Sequence, residues 1–180
     1  MDKKFFVASC VFTEEYPELS RRVQAYITKT FNLPIIRCGV ANYKVEEFEN
    51  RMPDWYRDEW RGIEHYRKFP VGSTMVSICH NCSAIFEERH PEINLQSIWE
   101  LILEDENFHY PNHGGEEITV QDCWRSKENI SEQKAVCEIL RRIYCAQIKT
   151  AKVAAYCHYC VRGLKLGGKE TFHLAELLFE

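Results

Sequence analysis

Apolar residues in this chain fall into two patterns. Short unbroken runs, Phe5-Phe-Val-Ala, Pro34-Ile-Ile, Met75-Val-Ser-Ile78, Ile118-Thr-Val and Lys152-Val-Ala-Ala-Tyr156, have the length and composition of buried strands. Between them, apolar positions recur every three or four residues. Leu19, Val23, Tyr26 and Ile27 predict a helix within 14–31, and Val136, Ile139, Leu140 and Ile143 predict one over 131–148 with Ser131 as its N-cap. A patchier helical stretch over 45–60 is interrupted by Pro53. A short helix is expected over 83–89, a strand-like return over 92–95, a helix opening on Ser97, and an amphipathic segment over 172–179. Strands that alternate with helices predict an α/β fold, a mostly parallel sheet with flanking helices.

The pattern is written twice. Thr74-Met-Val-Ser-Ile-Cys79-His-Asn-Cys82 and Lys152-Val-Ala-Ala-Tyr-Cys157-His-Tyr-Cys160 each run from an apolar strand into Cys-His-x-Cys. Upstream, Phe5-Phe-Val-Ala-Ser-Cys10 rhymes with Ile118-Thr-Val-Gln-Asp-Cys123; downstream, Ile93–Ile102 rhymes with Thr171–Phe179. Two divergent copies of one strand-Cys and Cys-x-x-Cys unit follow. The stretch 105–117, with Pro111, Asn112, Gly114 and Gly115, is the most loop-like part of the chain. It separates a first cysteine-rich unit, residues 1–110, from a shortened second one, residues 116–180.

Composition narrows the function classes. A chain of 180 residues with 45% hydrophobic content has the means to bury a core. Its net charge of -4, without a block of Lys or Arg, argues against nucleic acid or an anionic membrane as the principal partner. The apolar stretch near the N-terminus is too short for a membrane span and is followed by Glu14 and Glu15, so a cytoplasmic location is expected. No phosphate-binding glycine loop or hydrolase triad motif is present.

Nine cysteines then become the main chemical signal, since a reducing compartment disfavours structural disulfides and points to metal ligation or redox chemistry. Parallel sheets present ligands at the carboxyl ends of their strands. Cys10, Cys38, Cys79, Cys123 and Cys157 lie at or just past predicted strand ends, with Cys82 and Cys160 a turn further on. The expected metal set of the first copy is Cys10, Cys38, Cys79 and Cys82; four sulfurs suit an iron–sulfur cluster or zinc equally well. The second copy offers Cys123, Cys157 and Cys160. Cys137 and Cys145 fall on a predicted helix and read as core residues, while His80 and His158 suit a supporting hydrogen bond or exposure better than ligation. His109-Tyr-Pro-Asn-His113 reads as a loop packed over the edge of the cluster.

The pattern resembles the cysteine-rich, or CCG, domain found in heterodisulfide reductase and in iron–sulfur subunits of related oxidoreductases. Cys10, Cys38-Gly39 and Cys79-His-Asn-Cys82 stand for the first copy of its motif, and the stretch ending in Cys123 with Cys157-His-Tyr-Cys160 for the second. Arg37 stands where the first cysteine of Cys-Cys-Gly belongs. The resemblance implies a [4Fe-4S]-type cofactor, or zinc in a degenerate copy. It further implies an oxidoreductase subunit in electron transfer or disulfide reduction, with a redox partner carrying flavin or further clusters. Two alternatives stand beside it: a zinc-stabilised, non-enzymatic α/β module that acts as a binding or regulatory partner, and a metal-free thiol–disulfide oxidoreductase using Cys79 and Cys82.

Overall fold

The structure is a computed structural model that describes residues 3–37, 45–65, 68–114, 118–144 and 152–179. Cys38, Gly39 and Cys145 lie outside the described residues. The chain divides into two compact units, Met1–Gln96 and Ser97–Glu180. The division falls at the end of a strand, ahead of the loop at which sequence composition alone suggests a boundary.

The first unit is built on a parallel sheet. Strand β1 (Lys4–Ala8) leads into helices α1 (Cys10–Glu15) and α2 (Pro17–Phe31), then β2 (Ile35–Arg37), α3 (Val45–Arg51), α4 (Asp54–Gly62) and β3 (Glu64–His65). Strand β4 (Thr74–Ser77) follows, then helix α5 (His80–Arg89) and strand β5 (Asn94–Ser97). The spatial order is β3-β2-β1-β4-β5, so the chain winds outward from β1 in one direction and then in the other. The reversal lies between β1 and β4, the position at which open α/β sheets receive their ligands. Because a parallel sheet is covered on both faces, its strands carry no polar alternation: Phe5, Phe6, Val7 and Ala8 are all at most 4% exposed.

Alternate residues of β1 serve two apolar clusters. Phe5 and Val7 pack with Ile36, Phe69, Met75 and Phe86. Ala8 packs with Met52, Tyr56 and Trp60 from the stretch that Pro53 breaks into α3 and α4. Arg37, at the end of β2, is buried across Trp60, its guanidinium 5.8 Å from the ring centroid. Its Nε donates to the Ile63 carbonyl at 2.8 Å and a terminal nitrogen to the Arg61 carbonyl at 3.2 Å. Arg37 thus holds the end of α4 and the residue just before β3.

The second unit repeats the plan with fewer parts. After helix α6 (Ile98–Glu104) come strand β6 (Thr119–Gln121), a 3₁₀ turn at Trp124–Ser126, helix α7 (Ile130–Tyr144) and strand β7 (Lys152–Ala155). Helix α8 (His158–Leu166), strand β8 (Glu170–His173) and helix α9 (Leu174–Phe179) complete it. Its sheet has the order β6-β7-β8, with both pairings parallel. β8 and α9 mirror β5 and α6 down to the cap. The Ser97 hydroxyl accepts from the Trp99 N–H while Glu100 accepts from the Ser97 N–H; His173 Nδ1 accepts from the Ala175 N–H while Glu176 accepts from the His173 N–H. Helix α7 is capped by Asn129, whose side chain accepts from the Glu132 N–H at 3.2 Å, rather than by Ser131. The loop histidine His113 is tied to the Leu177 and Ile143 carbonyls, contacts with α9 and α7. Among the described residues no helix is long and apolar enough to cross a membrane.

Candidate thiol sites

Each Cys-His-x-Cys motif starts a helix. Cys79 is the N-cap of α5, with φ −123° and ψ 116°, and Cys157 is the N-cap of α8, with φ −133° and ψ 120°. The two turns therefore share one backbone shape, in which the second cysteine, Cys82 or Cys160, sits a helical turn inside. Their extended N-cap conformation follows from the strand just before them. The strands end in Ser77 and Ala155, two residues ahead of each N-cap.

Strand register decides what lies across from each motif. β6 pairs with β7 through Gln121 and Ala155, and two residues further on Cys123 meets Cys157, their sulfurs within 4.8 Å. Cys160 faces both: its thiol is pushed up by burial and by Cys123, while contact with Cys157 acts in the opposite direction. Cys123 and Cys157 are buried, at 2% and 6% exposure, and Cys160 is half-buried. Three sulfurs from two neighbouring strand ends and one helix thus converge at the carboxyl edge of the second sheet.

A polar network that runs from buried Tyr156 and Ser126 to exposed Asp122 holds that edge. The Tyr156 hydroxyl donates to Asp122 at 2.8 Å and lies 2.9 Å from the Ser126 hydroxyl, which in turn donates to the Cys123 carbonyl at 2.9 Å. Burial and the neighbouring Asp122 carboxylate hold the Tyr156 phenol well above its ordinary value, so it stays protonated and keeps donating. Tyr156 and Asp122 each precede a cysteine of the trio, and their bond pins together the two strand ends that present those cysteines. Equal offsets from Cys157 and Cys123 are the sequence signal that could have revealed the pair.

In the first unit the corresponding register gives a different result. β1 pairs with β4 through Val7 and Ser77, so two residues further on Ser9, not Cys10, meets Cys79. The Ser9 hydroxyl hydrogen-bonds the Cys79 sulfur. Cys10 lies one residue along and packs with Ala8, Met52, Tyr56 and Trp60, whereas Cys79 and Cys82 pack with Phe5, Val7 and Phe86. Within the first unit the structure thus brings together Cys79 and Cys82 and places Cys10 in another cluster; within the second it brings together Cys123, Cys157 and Cys160.

The Cys79 sulfur is set among donors. Cys82 contributes its side chain and its backbone N–H, Asn81 its backbone N–H and Ser9 its hydroxyl. The Cys82 contact is the largest influence, and together the donors outweigh burial and bring the Cys79 thiol down to about 6. The Ser77 hydroxyl fixes the backbone of the same residue, accepting from the Cys79 N–H and donating to its carbonyl, both at 3.0 Å.

Cys137 is exposed on α7 rather than part of a core. His80 and His158 are the first residues of α5 and α8; His158 is 2% exposed with its ring 4.3 Å from that of Tyr159. None of the seven described cysteines is joined in a disulfide. Comparisons with protein-family models, curated proteins and solved structures find no match for this chain.

Proposed function

We propose that this chain is a thiolate metalloprotein of the iron–sulfur type, with Cys123, Cys157 and Cys160 as the ligands supplied by the second unit. It would serve as an electron-transfer or disulfide-reducing component similar to the CCG-domain subunits of oxidoreductases. The observation that carries the reading is the convergence of those three sulfurs at one sheet edge. Thiolates are the ligands that iron–sulfur clusters and zinc both prefer, and three from one unit leave one position for a further ligand.

A bound cluster would supply one-electron chemistry. The chain's own residues would orient the ligands through the Tyr156–Asp122 bond and shelter two of the three sulfurs from water, with Cys160 nearest the solvent. The redox partner would carry flavin or further clusters. The same sulfurs suit zinc, in which case the chain is a structural or regulatory module.

Inorganic sulfide separates the two. In protein purified without oxygen, iron and acid-labile sulfide in comparable amounts support the cluster. Zinc without sulfide selects the module, and absence of any thiolate-bound metal sinks both.

A further inference from the structure

The first unit carries a thiol pair that the proposed metal centre does not use. Cys79 and Cys82 are in mutual contact on the first turn of α5, at the carboxyl edge of the sheet where its winding reverses. Across from them, where the second unit has Cys123, stands the Ser9 hydroxyl. A hydroxyl in that place is a poor ligand for a soft metal and a good hydrogen-bond donor to a thiolate. Cys79 is thereby a sulfur surrounded by donors, with a second thiol one helical turn away and no disulfide between them.

We infer that Cys79 and Cys82 form an oxidation site specific for small hydroperoxides, in which Cys79 is the attacked thiol and Cys82 the resolving one. In the first step the Cys79 thiolate attacks one peroxide oxygen and the O–O bond breaks. The sulfur becomes a sulfenic acid, and the leaving hydroxide takes up a proton as water. In the second step the Cys82 sulfur attacks Cys79 Sγ, the S–O bond breaks and a second water leaves. Two thiols and one hydrogen peroxide give one disulfide and two waters, with two electrons passing from the pair to the peroxide. Ser9 acts as a positioning residue through its bond to the Cys79 sulfur. The size restriction follows from burial, because both cysteines are only 4% exposed and the smallest oxidants reach them best.

The test is to treat the whole chain with hydrogen peroxide, block the remaining thiols and map the cysteines by mass spectrometry, with metal content measured in parallel. The wild-type chain should yield a Cys79–Cys82 disulfide that dithiothreitol reverses. Cys82→Ser should yield a sulfenic acid on Cys79 that dimedone traps, and Cys79→Ser should leave Cys82 unmodified. Ser9→Ala should slow disulfide formation several-fold while its circular dichroism spectrum is unchanged. Recovery of Cys79 and Cys82 as reduced thiols from folded, peroxide-treated wild-type protein would overturn the inference, as would dimedone capture on Cys82 in place of Cys79. The wild-type mapping decides the matter even if a variant fails to fold. It is also independent of the metal reading, because that reading concerns Cys123, Cys157 and Cys160 and is scored by their metal.

Discussion

Raising the pH from 6 to 9 should stabilise the folded chain through one sulfur. The donors around Cys79 bring its thiol from an ordinary 9.0 down to about 6, so between those values the unfolded chain binds a proton that the native chain does not. Stability therefore rises with pH across this window. It is fully present above the ordinary thiol value and is lost as the pH falls to about 6. At 1.36 kcal/mol per unit the whole effect is about 4 kcal/mol, an upper figure for a sulfur this deeply buried. Ser9 supplies one of the donors, so Ser9→Ala should remove about 1 kcal/mol of it. The assay is urea unfolding under excess reductant at several pH values from 6 to 9, on wild type, Ser9→Ala and Cys79→Ser. Titrating groups away from the Cys79–Cys82 pair are common to all three proteins and cancel in the comparison. A wild-type pH slope retained in Cys79→Ser would refute the reasoning.

Four further outcomes are expected. Tyr156→Phe removes the donor to Asp122 and the contact with Ser126, and should cost about 1–2 kcal/mol in urea unfolding; a change near zero would mean that the network does not hold the strand ends. Glu132 is 4% exposed and accepts from the Ser97 hydroxyl at 2.6 Å, so Glu132→Ala should cost about 1–3 kcal/mol. Glu138→Ala, which loses only surface ion pairs to Arg141 and Arg142, should stay within about 0.5 kcal/mol. Ser9→Cys places a third sulfur beside Cys79 and should add one equivalent of thiolate-bound cobalt(II) in an anaerobic titration. An unchanged titration would contradict the equivalence of Ser9 with Cys123.

Much of the fold was legible because parallel strands buried on both faces leave unbroken apolar runs, as in β1, β4 and β7. The duplication was legible for the same reason, and it extends to the paired caps at Ser97 and His173. The short strand β3, Glu64-His65, is exposed and polar, and nothing in its composition marks it as a strand. Helix α5 starts at His80 rather than Ser83 because Cys79 itself is the N-cap, which puts Cys82 inside the first turn.

What spacing does not report is register. Cys10 and Cys123 occupy matching places in the sequence rhyme, yet a single residue of offset turns a side chain to the other face of a strand. Pairing with β4 thus selects Ser9 to face Cys79, while pairing with β7 selects Cys123 to face Cys157. The unit boundary was hidden in a similar way: α6 packs against α7 and belongs with it, so the division falls before the helix rather than in the loop after it.

The convergence of Cys123, Cys157 and Cys160 is the central claim, and metal content of single variants purified without oxygen tests it most directly. Cys123→Ser, Cys157→Ser and Cys160→Ser should each lose most of the bound metal, while Cys137→Ser, altered at an exposed position on α7, should retain it. Equal metal in all four proteins, or loss in Cys137→Ser alone, would contradict the account.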